Sequence, residues 1–487
     1  MRILIFHGYL LHGTGSNVYN ARLAEALVRA GHEVHLLCQD RHPFQFDWVD
    51  ATGDWMSGEL TVVERRSPPR ATVYRPDIGD VLPVYVADVY EGAIARTFPE
   101  LTDDEIEHYL AANVAAIRDV CTRAEPHVAL ANHVVMGPVV LARALADTTI
   151  PYAVKIHGSA LEYTVKPHHR FLPYAREGLD RAAGVLVGSR HSADSLWGAV
   201  DDPTLPARTR LGPPGVDVDL FAPRHRAAAG EGFRALRARL ATPALDRIDP
   251  GRHRLVVFVG KLIASKGVEL VLAAWPFVAR AHPDARLVVV GSGSWRSGLE
   301  ALATELADGD LDAARARRAE DGRQLPQLAA FLESIDAGDY ATGAGALRQV
   351  SWTGLLDHAE LADLLPAAEA TVVPSTFPEA FGMVAAEAAA CGALPVVARH
   401  SGLAEVAGAL AEGIPARARP WLSFAVGDGA VEDLAGCLNG WLAADGDLRR
   451  SVRDGIVGVT RQRWSWDGAA RTVIAAATGR LEDIPHP

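Results

Sequence analysis

Short apolar segments alternate with helical patterns along this chain, and the alternation runs through two separate series. The first series comprises MRILIFHG (1–8), HEVHLLCQ (32–39), HVALANH (127–133), YAVKIHG (152–158) and GVLVGS (184–189). The second comprises RLVVFVG (254–260), ARLVVVGSG (285–293), QVSWTG (349–354), ATVVPS (370–375) and ALPVVA (393–398). Continuous apolar runs predict strands that are buried on both faces, and strands that alternate with helices form parallel sheets. The sequence therefore predicts two doubly wound parallel sheets.

The length of the chain agrees with two domains. A chain of 487 residues is too long for one ordinary core, and two domains of roughly 200 residues each are expected. The Pro/Gly-rich segment RTRLGPPGVDVDLFAPRH (208–225) separates the two series and is predicted to be the linker. We expect an α/β protein with two Rossmann-like domains that face a cleft. The predicted domains cover residues 1–212 and 213–460, with an insertion at about 295–350 and a final helical segment at 461–487.

Composition excludes several functional classes. The net charge of -12 does not favour nucleic-acid binding or attachment to an acidic membrane surface. No apolar run approaches the ~18 residues of a spanning helix, and MRILIFHG is too short for a signal-peptide core. The 4 cysteines are scattered without metal-ligand spacing. A cytoplasmic location is expected, with no disulfide framework and no structural zinc, and the oligomeric state stays open.

Two carboxylates, Glu379 and Glu387, lie in STFPEAFGMVAAEAAACGALPVV (375–397). The alanines around Glu387 predict a buried carboxylate, because a solvated helix face normally carries more than one polar group. A buried carboxylate needs a partner or a helix dipole to stay ionised. The pattern indicates either a ligand contact or a structural ion pair.

The spacing of the two acids disfavours a paired-acid hydrolase. Eight helical residues span about 12 Å, whereas the two carboxyl groups of a glycosidase lie roughly 5 to 9.5 Å apart. We therefore expect the two acids to hold different parts of one long ligand.

A glycine-rich turn follows the first predicted strand, in LHGTGSNVYNARLAEAL (11–27). Gly13 and Gly15 would allow the backbone to approach a phosphate or a sugar closely. The turn is not a dinucleotide fingerprint, because GxGxxG would require glycine at Val18. A simple tight turn is the alternative interpretation, and the missing fingerprint disfavours an NAD-dependent oxidoreductase.

Two further strand ends carry candidate ligand-binding side chains. Lys261 and Lys266 flank a turn that opens a helix in GKLIASKGVELVL, and two lysines beside a helix N-terminus suit a diphosphate. His157 ends a strand and precedes glycine. The alternatives are solvated lysines and a core histidine, respectively.

Taken together, these motifs resemble glycosyltransferase family 4, a family of retaining enzymes with the GT-B fold. The likeness rests on GHEV (31–34), the strand-end His157, PGVDVDLF (214–221), GKLIASKG and PSTFPEAFGMVAAEAAACG followed by PVVA. It extends over nearly the whole chain outside the insertion. The N-terminal GSNVY (15–19) also resembles the start of the inositol-phosphate glycosyltransferases.

The resemblance implies roles for matching residues. Glu387 would hold the ribose of a nucleotide, and Glu379 would contact hydroxyls of the transferred sugar. Lys261 and Lys266 would hold the diphosphate, and His157 would lie beside the donor sugar. His157, Glu379 and Lys266 are therefore the expected catalytic residues.

The resemblance also implies the remaining binding residues. Gly15 would contact the diphosphate through its backbone, and Asn17 and His133 are the acceptor candidates. The first domain would bind the acceptor and the second the donor, while the final helix would cross back to the first domain. Apart from the resemblance, the backbone amides of Phe381, Gly382, Met383 and Val384 at the start of a helix are expected to face the donor, because the helix dipole favours an anion there. Leu356 is a further expected donor-binding residue.

The implied activity is transfer of a sugar, with retention, from a nucleoside-diphosphate sugar to a hydroxyl of a small molecule or glycan. A UDP- or GDP-sugar is the expected co-substrate, with no tightly bound cofactor and no metal. A nucleotide-sugar epimerase and a non-catalytic carbohydrate-binding relative are the alternatives. The chain departs from the family at Ser16, where glycine is common, and at Lys261, where arginine is common.

Overall fold

The computed structural model describes residues 1–13, 15–56, 58–86, 94–240 and 242–487, with only the backbone of Met56. It divides into two compact units, each described here by itself. The first unit contains Met1–Gly215 and Trp466–Pro487, and the second contains Val216–Ser465. The predicted divisions at residues 212 and 460 lie within a few residues of these limits.

A nine-stranded sheet forms the centre of the first unit, and a separate pair, β6 and β7, lies apart from it. The strand order of the nine-stranded sheet is β11-β10-β9-β8-β1-β2-β5-β3-β4. Every pairing in that sheet is parallel except that of β3 with β4. The strands are β1 (Arg2–Phe6), β2 (Glu33–Leu37), β3 (Ala51–Met56), β4 (Glu59–Glu64), β5 (Ala71–Arg75), β6 (Val81–Val84), β7 (Ile94–Thr97), β8 (Val128–Asn132), β9 (Tyr152–Lys155), β10 (Gly184–Val187) and β11 (Thr209–Leu211).

The second unit contains a six-stranded, wholly parallel sheet, in the order β14-β13-β12-β15-β16-β17. The strands are β12 (Arg254–Val259), β13 (Ala285–Val290), β14 (Ser351–Gly354), β15 (Ala368–Val373), β16 (Leu394–Ala398) and β17 (Ser423–Phe424). Both sheets are parallel α/β sheets, as the apolar segments predict.

Helices connect the strands of each unit. Those of the first unit are α1 (Ser16–Arg29), α2 (Asp103–Ala124), α3 (Gly137–Ala144), α4 (Gly158–Ala160), α5 (Leu172–Asp180), α6 (Arg190–Val200), α7 (Leu205–Arg208) and, at the C-terminus, α19 (Trp466–Ala477). Those of the second unit are α8 (Arg226–Arg239), α9 (Val268–Ala281), α10 (Arg296–Asp308), α11 (Leu311–Ala316), α12 (Pro326–Ser334), α13 (Ala337–Ala344), α14 (His358–Leu364), α15 (Met383–Ala390), α16 (Ser401–Glu412), α17 (Ala430–Ala443) and α18 (Gly446–Arg463).

Local sequence signals explain where long helices begin. At the start of α2, the Thr102 hydroxyl accepts a hydrogen bond from the Glu105 amide at 3.2 Å. The Glu105 carboxylate in turn accepts one from the Thr102 amide at 2.7 Å. This reciprocal capping box satisfies two amides that have no partner within the helix.

The C-terminal helix α19 packs against the sheet and helix α1 of the first unit. The indole of Trp466 lies 5.6 Å from the ring of Tyr19, in an edge-to-face arrangement. Gly215 lies directly against this indole, because a Cβ there would be 2.5 Å from a Trp466 ring atom. The polypeptide therefore contributes its last helix to its first folding unit.

The segment predicted to be an insertion is integrated into the second unit. Helices α10, α12 and α13 of this segment pack against α9, and α11 packs against α10 and α12. The Tyr340 hydroxyl of α13 donates a hydrogen bond to the Ala273 carbonyl of α9 at 3.1 Å. Gly343 is close to the same helix, because a Cβ there would lie 2.1 Å from the Pro276 carbonyl oxygen. These helices therefore share the hydrophobic core of that unit.

Each sheet has a point where the strand order reverses direction. In the first sheet β1 lies between β2 and β8, and in the second β12 lies between β13 and β15. Ligands of open α/β sheets bind outside the carboxyl ends of the strands at such a point. The structure therefore identifies one candidate ligand-binding edge in each unit.

Candidate functional site

The second unit brings Lys266 and Glu379 together at its switch point. Lys266 follows β12, and Glu379 follows the neighbouring strand β15. The Lys266 Nζ donates a hydrogen bond to Glu379 Oε1 and forms an ion pair with it. The hydroxyl of Ser375 donates to the same oxygen at 2.7 Å.

Opposing effects act on the Glu379 carboxyl group. Burial raises its pKa, whereas the positive charge of Lys266 and the hydrogen bonds from Lys266 and Ser375 lower it. The net result is a pKa below the ordinary value. Glu379 is therefore an acceptor-only carboxylate at neutral pH, suited to binding hydroxyl groups.

A neighbouring turn fixes the Glu379 backbone. Its amide donates to Ser401 Oγ at 2.9 Å, and its carbonyl accepts from the Gly402 amide at 2.9 Å. His400 lies within 3.0 Å of Ser401 Oγ and 2.7 Å of the Ser375 carbonyl. The sequence analysis missed His400 and Ser401, which follow β16 with no distinctive motif around them.

Glycine is required where the Lys266 turn meets the β15 loop. Gly267 has a φ of 68°, and a Cβ there would lie 2.1 Å from the Pro374 carbonyl oxygen. Gly291, after β13, has a φ of 140°, and its Cβ would lie 1.8 Å from the Gly260 carbonyl oxygen. At both positions the glycine lies so close to a neighbouring backbone carbonyl that a side chain would not fit.

A residue from the predicted insertion supports the lysine turn. The Glu320 carboxylate accepts a hydrogen bond from the Ala264 amide, at 3.1 Å and 3.0 Å to its two oxygens. Ala264 begins the short 3₁₀ turn that ends at Lys266. Lys261, at the start of the same loop, is exposed.

The N-terminus of α15 faces the same edge of the sheet. Gly382 precedes this helix with a φ of 121°, and Met383 and Val384, both half-buried, form its first turn. The first amides of a helix have no acceptor within it, and the helix dipole favours an anion there. Backbone groups are therefore available for a negatively charged ligand.

Two of the residues predicted to bind the donor, Phe381 and Leu356, have buried side chains. Phe381 packs edge-to-face on Trp464, with ring centres 5.3 Å apart, so only its backbone remains for a ligand. Leu356 is buried at 4% exposure, whereas its neighbour Leu355 is 71% exposed. The side chain of Leu356 thus lies in the core while the loop after β14 directs that of Leu355 outward, and the donor-binding role of Leu356 stays a prediction.

Glu387 lies on α15 and is buried at 6% exposure. Its Oε1 is 3.6 Å from His358 Nε2, at the start of α14. The sequence analysis predicted the burial of Glu387 but missed His358, whose proximity depends on how two distant helices pack. His358 is therefore a structural partner for Glu387.

The first unit gathers histidines at its own switch point. His7, His133 and His157 follow β1, β8 and β9, and the ring centres of His133 and His157 are 4.9 Å apart. Burial lowers the pKa of His157 well below its ordinary value, and neighbouring His133, Lys155 and His7 lower it further. His157 itself remains partly exposed.

The two predicted acceptor residues are less accessible than expected. His133 is 1% exposed, with a φ of 69°, and the rings of Tyr85 and His157 pack against it. Its side chain is thus buried, and its role as an acceptor candidate stays a prediction. Asn17 is also buried, and its amide group accepts from His7 at 3.2 Å and donates to the His12 carbonyl at 2.7 Å.

Gly15 has the geometry expected for close ligand approach. It caps the N-terminus of α1 with a φ of 60°, and a Cβ there would have nothing within 4 Å among the described residues. The backbone at this position thus faces open space beside the helix N-terminus.

Two negative findings apply to the part of the chain that the structure describes. No group of three or more His, Cys, Asp or Glu residues is placed to hold a metal ion. No described helix is both long enough and apolar enough to cross a membrane.

Comparison with known families agrees with this architecture. Residues 14–205 match the family described as Glycosyl transferase 4-like domain. Residues 248–310 and 338–420 match the family Glycosyl transferases group 1. A D-inositol 3-phosphate glycosyltransferase of Segniliparus rotundus is 31% identical over 278 residues, covering 57% of this chain and 48% of that relative. The matched segment thus spans about half of that relative.

Solved structures share the fold over the whole chain. Sucrose-phosphate synthase from Thermosynechococcus elongatus has a TM-score of 0.62 at 21% identity, covering 99% of this chain and 98% of that one. Anabaena HepE, in complex with UDP and glucose, has a TM-score of 0.59 at 16% identity, covering 98% and 99%. Two Rossmann-like units with these neighbours constitute the GT-B fold. With both halves matching glycosyltransferase families, the chain belongs to glycosyltransferase family 4.

Proposed function

We propose that this protein is a retaining glycosyltransferase that moves a sugar from a nucleoside-diphosphate sugar to a hydroxyl group of a small-molecule or glycan acceptor. The observation that carries the proposal is the Lys266–Glu379 pair beside the N-terminus of α15. This arrangement combines a cation and free amides for a diphosphate with a carboxylate for sugar hydroxyls.

The second unit would bind the donor. In this assignment Lys261, Lys266 and the amides of Met383 and Val384 hold the diphosphate. Glu379 accepts hydrogen bonds from the sugar, and Glu387 accepts them from the ribose. The complexes of Anabaena HepE with UDP-glucose support a nucleotide sugar as co-substrate, and we propose a UDP- or GDP-sugar.

Transfer with retention needs no carboxylate nucleophile in this scheme. The bond between the anomeric carbon and the diphosphate oxygen breaks while a bond to the acceptor oxygen forms on the same face of the sugar. The acceptor proton passes to the departing diphosphate. Lys266 and the helix dipole stabilise the charge that develops on this leaving group, which is where electrostatic catalysis is most effective.

The first unit would bind the acceptor. In the same unit, Gly15 offers an open backbone position at the start of α1 and would contact the diphosphate, while the half-buried His157 would lie beside the transferred sugar. The likeness to D-inositol 3-phosphate glycosyltransferases makes an inositol phosphate the first acceptor to test.

The decisive experiment is to incubate the protein with UDP-, GDP- or ADP-glucose, with and without inositol 3-phosphate and a panel of free sugars. Release of nucleoside diphosphate and a new α-glycosidic signal by NMR, both dependent on acceptor, are expected. Epimerisation of the donor without acceptor would instead indicate an epimerase, and saturable binding without turnover would indicate a binding protein.

Variants test whether the proposed residues carry the activity. Lys266→Ala is expected to lower kcat by about 100-fold or more, with a smaller effect on donor affinity, because charge on the diphosphate grows in the transition state. Arg450→Ala is the control, since Arg450 also pairs with a carboxylate, that of Asp447 at 3.4 Å, but on an exposed helix. Equal effects of Lys266→Ala on affinity and kcat/KM would contradict the leaving-group role.

A further inference from the structure

We propose that Asn132, Asn20 and His7 are positioning residues that hold His157 as its Nε2–H tautomer, so that Nδ1 accepts a hydrogen bond from a substrate hydroxyl. The proposal concerns the first unit alone, and its substrate part rests on the proposed function. It follows from a continuous chain of hydrogen bonds whose direction is set by backbone carbonyl groups.

The first link is the side chain of Asn132, at the end of β8. One of its atoms lies 3.1 Å from the Phe6 carbonyl oxygen and 2.8 Å from Asn20 Oδ1. A backbone carbonyl only accepts, so this atom must be the amide nitrogen. The other atom, Oδ1, lies 2.9 Å from His157 Nε2 and must accept a hydrogen bond from it. The His157 proton therefore resides on Nε2.

The second link is Asn20, in the first turns of α1. Its Nδ2 donates to the Ser16 carbonyl at 2.8 Å, which fixes the orientation of this amide as well. The same nitrogen lies 3.0 Å from His7 Nδ1, which must therefore be unprotonated. His7 then carries its proton on Nε2, 2.9 Å from the Leu10 carbonyl. The carbonyl groups of Phe6 and Ser16 thus fix the donor and acceptor atoms of Asn132 and Asn20 independently, and the two assignments agree.

The network is buried and electrically neutral. Asn20, Asn132 and His7 are all buried. Burial lowers the pKa of His7 to about 4, and it lowers the pKa of His157 well below the ordinary range. Both rings are therefore neutral at pH 7, when an imidazole has one donor nitrogen and one acceptor nitrogen.

The outward nitrogen of His157 follows from this assignment. Its donor nitrogen is committed to Asn132, and no described residue forms a hydrogen bond with Nδ1. Nδ1 therefore presents a lone pair, which accepts a hydrogen bond from a hydroxyl group and repels the lone pairs of a carboxylate or a carbonyl oxygen. A sugar with a free hydroxyl at this contact is preferred over its deoxy counterpart.

The tautomer can be measured directly. Long-range proton–nitrogen NMR correlations on ¹⁵N-histidine-labelled protein distinguish the two forms, with His157→Gln identifying the relevant signal. The wild type should show Nε2–H for His157 at pH 7. Asn132→Leu, which removes the acceptor, should give a mixture of tautomers and lower kcat by about 10-fold or more, with little change in the KM for the donor.

Two companion variants separate positioning from simple loss of structure. Asn113→Leu removes another buried amide of the first unit, whose Nδ2 donates to the Tyr109 carbonyl at 2.8 Å, and should leave the His157 tautomer unchanged. Asn132→Asp keeps an acceptor for Nε2–H and should restore that tautomer above pH 8, where neutral imidazole predominates. A structural role alone would not produce this recovery.

Each result decides the proposal. Nδ1–H in the wild-type spectrum would overturn it, even if Asn132→Leu failed to fold. An unchanged tautomer in folded Asn132→Leu would overturn it too. If the tautomers behave as expected but no nucleotide sugar is turned over with any acceptor, the positioning network stands and the proposed function fails. Equal turnover of the glucosyl donor and of each of its deoxy analogues, tested one hydroxyl position at a time, would reject the hydroxyl contact.

Discussion

Glu269 offers a quantitative test of how burial controls stability in the second unit. This residue lies in the first turn of α9 and is 3% exposed, and its Oε2 has no hydrogen-bond partner among the described residues. Burial raises its pKa to about 8, although a hydrogen bond to its own backbone opposes the change and nearby Glu320 adds to it. The folded protein therefore keeps a proton on Glu269 at neutral pH.

The direction of the pH effect follows from proton binding. An ordinary glutamate in the unfolded chain loses its proton at about pH 4.5, whereas the folded protein keeps it up to about pH 8. Between these values the folded state binds one more proton, so its stability falls as pH rises. The loss is about 1.4 kcal/mol per pH unit, or about 2.5 kcal/mol between pH 5.5 and 7.5.

Glu269→Gln should remove this dependence, because an amide stays neutral throughout. Urea unfolding of both proteins at pH 5.5, 6.5 and 7.5 should show the variant gaining about 2.5 kcal/mol over the wild type across the range. Glu231→Gln, on an exposed face of α8, is the control and should show no such gain. A stability difference between Glu269→Gln and wild type that stays constant with pH would refute the reasoning.

Three further outcomes are expected. Glu387→Ala should weaken UDP and UDP-sugar equally in calorimetry, because the proposed ribose contact would be made by both; unchanged UDP affinity in the folded variant would exclude this contact. Gly267→Ala should destabilise the second unit by more than about 1 kcal/mol in thermal unfolding, because residue 267 has a left-handed backbone conformation and the added Cβ would clash with the Pro374 carbonyl. Gly429→Ala, where the added Cβ has open space, should cause no such loss. Burial lowers the pKa of Lys155 to about 7, whereas the lysine of the unfolded chain keeps its proton up to about pH 10.5. Between these pH values the unfolded state binds one more proton, so the stability of the wild type rises with pH. Relative to Lys155→Met, urea unfolding should show this rise as about 1.4 kcal/mol per unit from pH 7.5 to 9.5, and a flat difference would contradict it.

The apolar segments predicted the two sheets because their pattern is local. A run such as RLVVFVG has no polar face, so it must be a strand covered on both sides, which is how β12 lies in the structure. This inference needed only chain order and hydrophobicity. The structure then shows Lys266 and Glu379, each following a strand of this sheet, meeting at the same edge although 113 positions separate them.

The direction of individual loop side chains was beyond such reasoning. Leu355 and Leu356 are adjacent and chemically identical, yet one is exposed and the other is in the core, because the turn after β14 decides which faces inward. His133 follows its strand as His157 does, but a positive φ directs it into a group of aromatic rings. A strand-end position places a residue at the edge of a sheet without specifying where its side chain points.

The sequence by itself determined the fold class, the two-domain organisation and the acidic and basic residue types at the candidate site, since each depends on patterns within a few residues. Only the tertiary structure decided the partners. Asn20 meets Asn132 across 112 positions, and Glu320, from the predicted insertion, supports the turn that carries Lys266. A hydrogen bond depends on distances of a few tenths of an ångström and on orientation, and these are set when separate elements pack together rather than by the composition of any one segment.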